Sequence, residues 1–247
     1  MGRITDTVKV LIIINVIFFA GTMFIGDYTY KLFSLWFFQN ENFGVWQIVT
    51  HMFMHGGFMH ILFNMYALWA FGSPIEQMLG KSKFLFFYFS CGIGAAILHS
   101  LVNYYHVESG YNALVQAGMN PDAIQQLLET GQYSTEILNS VSKDTLESMF
   151  ISFNTPAVGA SGAIYGILVA FGMLFPNVEL FLIFVPIPIK AKVFIPVLIG
   201  LDLFSGITGY SIFGGGIAHF AHVGGALFGF IMMWYWKKNQ FNQNRWD

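Results

Sequence analysis

Charge is what this sequence most conspicuously lacks. Only 10% of its 247 residues are Asp, Glu, Lys or Arg, against roughly 25% in an ordinary soluble domain. With 55% of residues hydrophobic and a mean hydropathy of +0.60, that scarcity marks an integral membrane protein. Cysteine is almost missing too. Cys91 alone excludes an internal disulfide framework and an all-thiolate metal site. A net charge of -2 and a pI near 6.4 offer nucleic acid no basic surface. There is no internal repeat, no low-complexity tract and no C-terminal lipidation signal. Arg3 and Lys9 precede an apolar run, as in a signal peptide. No small-x-small cleavage site follows, so the run reads as a retained first span.

What is abundant is long apolar segments. Crossing ~30 Å of hydrocarbon takes about 20 residues, and six segments qualify: 9–26, 55–75, 84–103, 157–175, 192–210 and 217–236. With six spans both ends share a side. That side would hold Arg3, Lys9, Lys81, Lys83, Lys190, Lys192, Lys237, Lys238 and Arg245, leaving only Lys31 and Lys143 opposite. The bias predicts cytoplasmic termini and cytoplasmic 76–83 and 176–191 connections, in a cell (inner) membrane. The expected fold is therefore an all-α, six-span bundle forming one domain over 1–247.

Two long connections fall on the outer side. Residues 27–54 are rich in Tyr, Trp and Phe, which suits a structure lying in the interface. Residues 104–156 form an acidic insert, with Lys143 its one base. Asn120-Pro121-Asp122 starts a helix there that Gly131 stops, and the stripe Leu138, Val141, Leu146, Met149 predicts a second helix over 135–149. The insert reads as a helical hairpin within the domain. It hangs near the fourth span, either recruiting or gating a substrate or covering the interface.

Polar residues inside spans require a reason. Ser161 lies in Gly159-Ala160-Ser161-Gly162-Ala163-Ile164-Tyr165-Gly166, where it serves either close helix packing or nucleophilic chemistry. The second span carries His60 and Asn64, four apart and so on one face, below His51 and His55. The sixth opens with His219 and His222, then the small residues Gly225 and Gly229. Ser161 precedes Pro176 by fifteen residues and His222 precedes Lys237 by fifteen. At 1.5 Å per residue both sit ~22 Å above the cytoplasmic boundary. His60, thirteen residues above the Gly72-Ser73-Pro74 break, lies at a similar depth.

These three motifs, in order along all six spans, resemble the rhomboid family of intramembrane serine proteases. The resemblance implies that Ser161 is the nucleophile and His222, rather than His219, the general base. It implies an oxyanion hole of His60, Asn64 and the Ser161 backbone, with Tyr165 packed against the base. Gly159, Gly162 and Gly225 would support the close approach. By the same resemblance the partners are single-span membrane proteins with small residues at the cut, and no metal or cofactor takes part.

The chemistry is coherent. A serine hydroxyl needs a neutral base within hydrogen-bond reach, and donors must meet the oxyanion. No acidic residue is expected at the depth of the pair, so the reading is a Ser/His dyad. His55 either supports the loop above the site or faces water, and His51 is expected to face water. Asp202, midway along the fifth span, reads as a structural group, with a functional role the alternative. Glu76 is expected to tie the cytoplasmic connection. Gly214-Gly215-Gly216 is either a flexible cap over the site or a tight turn. Trp46-Gln47 stands where many family members have Trp-Arg, which touches the anchoring of the first outer loop. Two rivals remain: a catalytically inactive client-binding relative, and a metal-handling transporter built on the histidines.

Overall fold

The computed structural model describes residues 3–182, 185–210 and 216–239. Helix α1 (Asp6–Ile25) ends where Gly26 takes a positive φ of 76°. Its first turn has no side-chain cap of its own. Glu76 supplies one from elsewhere, accepting the Thr5 hydroxyl and the backbone N–H groups of Thr7 and Val8 at 3.3 and 3.1 Å. The expected tie at Glu76 is thus a clamp on the start of α1.

The first outer connection folds into α2 (Asp27–Phe33), α3 (Gln47–Thr50) and a 3-10 turn over His51–Phe53. Gln47 is its centre and is fully buried. Its Oε1 accepts the Trp36 N–H at 3.3 Å, and its Nε2 reaches the carbonyls of Asn42 (2.8 Å), Lys31 and Leu32 (3.2 Å each). The loop is therefore anchored by a neutral amide. His51 does not face water as expected. It is buried, with Nδ1 2.8 Å from the Gln47 carbonyl.

The second apolar segment is α4 (Phe58–Ala67), a π-helical turn over Leu68–Gly72, and α5 (Ser73–Leu79). The expected break at Gly72-Ser73-Pro74 does not occur: Gly72 and Ser73 keep right-handed helical dihedrals, and the helix runs on to Gly80. Proline removes a donor and crowds the preceding turn. The wider π turn directly ahead of Pro74 takes up that misfit.

Helix α6 (Lys81–Gln116) is 36 residues long and carries the chain straight into the insert. There α7 (Pro121–Thr130) has the expected ends, the Asn120 side chain accepting the Ala123 N–H at 2.8 Å and Gly131 left-handed. The second insert helix is shifted from its expected place. A short 3-10 turn covers Thr135–Asn139, and Ser142 then caps a new helix, α8 (Lys143–Asn154). Leu114, Ile124, Leu127, Val141, Leu146 and Met149 give the insert a small core of its own, roofed onto the end of α6. The chain returns through an antiparallel bridge in which Leu35 and Ala157 exchange both N–H···O bonds at 2.9 Å.

Helix α9 (Ser161–Leu174) follows, and then a surprise for an all-helical expectation: β1 (Glu179–Leu182) and β2 (Val185–Lys190) form an antiparallel hairpin. Pro186 and Pro188 bar a helix here, and the β-branched and aromatic residues around them suit strands. Helices α10 (Ala191–Thr208) and α11 (His219–Asn239) complete the fold. Gly214 and Gly215 lie outside the described residues. Among those described, α1, α6 and α10 are long and apolar enough to cross a membrane, while α9 is apolar but only 14 residues long.

The centre of the bundle is α6, α9 and α11, brought together by missing side chains. A Cβ on Gly225 would collide with the Gly162 carbonyl oxygen, and one on Gly229 would lie 2.6 Å from the Gly166 Cα. On the other flank a Cβ on Gly224 would stand 2.8 Å from the Gly94 carbonyl. Backbone meets backbone at these points, which sets the height of α11 against α9.

Candidate active site

Ser161 is the first residue of α9, so its backbone N–H belongs to the unpaired first turn at the positive end of the helix. The approach is braced twice. Ala157 is bridged to Leu35, and the Gly159 N–H donates to the His51 carbonyl at 2.9 Å. The buried Gln47 thus acts on the site at one remove, by holding the loop that holds Gly159.

His222 enters from α11. Its Nε2 is 2.9 Å from Ser161 Oγ, and its ring stacks on Tyr165, centroids 4.1 Å apart and planes 13° apart. Gly225, one turn below His222, and Gly162, next to Ser161, are the pair whose bare backbones touch. The small face of α11 is therefore what delivers the imidazole to the hydroxyl.

His60 closes the other side. The Gly56 N–H points at its Nδ1 at 3.4 Å, which leaves Nε2 to carry the ring proton. The point where a Gly159 Cβ would stand is 2.8 Å from that Nε2 and 3.5 Å from Ser161 Oγ. Gly159 has φ +121°, where L side chains rarely go. Its missing side chain leaves a space with the Ser161 hydroxyl on one edge and the His60 ring nitrogen on another. Asn64, one turn along α4, is buried, and its Nδ2 has no hydrogen-bond partner among the described residues. A buried donor without an acceptor can meet an anionic oxygen brought to it. His55, buried too, sets its ring edge-on to His60 at 5.0 Å and supports it from above.

One expectation fails. An acidic side chain does reach the pair: Asp202 Oδ1 on α10 lies 3.1 Å from His222 Nδ1 and 2.6 Å from His219 Nδ1, and Oδ2 accepts the Tyr165 hydroxyl. Only 1% of Asp202 is exposed. The signal was present in the sequence. Asp202 follows Lys190 by twelve residues, ~18 Å along a helix and within a turn of the depth of Ser161. Helix α10 ascends where α9 and α11 descend, so no shared motif links them.

A site is thus assembled from α4, α9, α10 and α11. It joins a hydroxyl to an imidazole, an imidazole to a carboxylate, and free donors to one small space. That set can deprotonate an alcohol and stabilise an oxyanion.

Comparison with known proteins agrees in extent. A model of the Rhomboid domain matches residues 42–239, which enclose His60, Asn64, Ser161, Tyr165, Asp202, His219 and His222. The chain is 27% identical over 191 residues to Rhomboid protein 1, mitochondrial, of Saccharomyces cerevisiae, covering 77% of this chain and 42% of that protein. It is 29% identical over 184 residues to the human presenilin-associated rhomboid-like protein, mitochondrial, covering 74% and 35%. A shorter stretch of 77 residues is 36% identical to Rhomboid protease GlpG of Salmonella choleraesuis, covering 31% and 28%. The chain spans less than half the length of each of these relatives. From the match over 42–239 it follows that this chain belongs to the rhomboid family.

Proposed function

We propose that the protein is an intramembrane serine endopeptidase, with Ser161 as nucleophile and His222 as general base. The observation that carries this reading is the 2.9 Å contact of Ser161 Oγ with His222 Nε2 at a helix N-terminus, beside a space lined by the His60 donor. Oγ attacks the scissile carbonyl as Nε2 takes its proton. The oxyanion is met by the Ser161 N–H, His60 and the Asn64 amide, whose Nδ2 has no other partner among the described residues. His222 then gives the proton to the leaving amine, and water, activated by the same imidazole, releases the acyl group.

The substrate is a single-span membrane protein, cut in or just outside its transmembrane segment. A helical peptide bond is shielded by its own backbone, so small and helix-destabilising residues near the cut let the strand enter. Six spans in a bacterial-type inner membrane, with cytoplasmic termini, belong to the same proposal. They rest on the basic residues flanking the apolar segments. The single domain 1–247, with 104–156 as an outer insert, belongs to it as well.

The test is labelling of the detergent-purified protein with a fluorophosphonate. Wild type is expected to label, and Ser161→Ala and His222→Ala are not. Equal labelling of Ser161→Ala would refute the assignment. A folded wild type that does not label but retains bound membrane clients would establish the inactive, client-binding alternative.

A further inference from the structure

His222 is held in two different ways, and they do different jobs. The stack on Tyr165 fixes the plane of the ring. A half-turn of the imidazole about its Cβ–Cγ bond leaves that stack unchanged while it exchanges the edges. Stacking therefore cannot decide whether Nε2 or the carbon Cε1 meets Ser161, nor which nitrogen carries the proton. Only a contact at the far edge can, and the only one described there is with Asp202 Oδ1.

We propose that Asp202 is the positioning residue of the base: its Oδ1 holds His222 as the Nδ1–H tautomer with bare Nε2 turned to Ser161, and Tyr165 and His219 hold Asp202 in place. The inference rests on the protease reading above. An ionised carboxylate only accepts, so both imidazole Nδ1 atoms on Oδ1 must be donors. With Nδ1 protonated, a neutral His222 has a lone pair on Nε2, as a base for Ser161 requires. The Tyr165 hydroxyl occupies Oδ2 and so orients the carboxylate. The contacts close a loop from Ser161 to His222, to Asp202, to Tyr165 and back into α9. His219 shares the carboxylate, but it is His222 whose second nitrogen lies on Ser161.

The experiment compares wild type, Asp202→Asn, Tyr165→Phe and Ser161→Ala on a single-span fusion protein whose transmembrane segment carries a Gly/Ala-rich cut region, with kcat and KM measured in detergent. Asparagine preserves the volume but turns an amide N–H₂ toward Nδ1, which favours the wrong tautomer. In trypsin the equivalent exchange lowers kcat about 10⁴-fold with geometry intact. Here the Tyr165 stack remains, and kcat should fall roughly 10²-fold, with KM within about twofold. Tyr165→Phe should share the loss of kcat in part.

A purely structural Asp202 would reduce the yield of folded enzyme and leave the kcat of the folded fraction where it was. Should Asp202→Asn fail to fold, the ¹⁵N spectrum of histidine-labelled wild type decides, with the His222 signals assigned by their loss in His222→Ala. Nδ1–H is expected, and Nε2–H would overturn the inference. An active wild type with an unchanged Asp202→Asn kcat refutes this inference alone. A wild type no more active than Ser161→Ala refutes the protease reading and the inference with it.

Discussion

Substituting one hydrogen at Gly225 tests the architecture and the chemistry together. A methyl there would overlap the Gly162 carbonyl oxygen and lie 2.6 Å from the carbonyl carbon and 3.2 Å from the Gly162 Cα. Carbon atoms settle at about 3.5–4.0 Å, so α11 must retreat from α9 by about 1 Å. The obstacle is backbone, which no rotamer change can move. Overpacking of this kind costs about 1–3 kcal/mol. His222 stands one turn above Gly225 on the same rigid helix and moves with it, lengthening the 2.9 Å contact with Ser161 beyond hydrogen-bond range. A displacement of about 1 Å at a reacting group costs about 10² in rate. Gly225→Ala should therefore lose roughly a hundredfold in fluorophosphonate labelling rate and melt earlier in detergent. Gly21→Ala in α1, where nothing lies within 4 Å, is the control; it should match wild type or gain slightly in stability. A Gly225→Ala protein that labels at the wild-type rate would refute the claim that backbone contact sets the base.

Gly159→Ala should impair turnover more than folding, because the new methyl fills the space beside His60 Nε2 and adopts a disfavoured φ. An unchanged kcat would show that this space is not where the oxyanion forms. Gln47→Ala removes one accepted bond and two amide donors shared among three carbonyls from a buried site. It should lower stability by about 1–3 kcal/mol and, through the His51 carbonyl on Gly159, slow labelling as well. Limited proteolysis within 27–54 would read the loosened loop, and wild-type resistance would count against the bracing. Burial pushes the His51 pKa down to about 4, against a smaller opposing pull from the Gln47 carbonyl. The unfolded chain binds this proton near pH 6.5, so stability from His51 is complete above that value and declines as pH falls toward 4. The loss is on the order of 3 kcal/mol. Melting in detergent should show it in wild type and lack it in His51→Gln; parallel curves would remove His51 as the cause.

The insert shows how much a local pattern can carry. Asn120, Pro121 and Gly131 bounded α7 correctly because capping is a matter of adjacent residues. The second insert helix began later than its apolar stripe suggested, since the Ser142 cap outweighed Leu138, which ends up exposed. The β1/β2 hairpin is not legible in a local pattern, for a related reason. A short apolar run with prolines has no helical period, but it satisfies its backbone only by pairing with another run.

By itself the sequence determined the membrane character, the order of the apolar segments, and the motifs around Ser161, His60 and His222. Each is a spacing within one segment, and helical geometry turns such spacing into a shared face without help from the rest of the chain. The tertiary structure alone decided that Asp202 meets His222, that Gln47 anchors the first outer loop, and that Gly225 rests on Gly162. Those meetings depend on how helices from distant parts of the chain rotate and how closely they approach. Close packing across the whole bundle fixes both, and no short stretch of sequence records them.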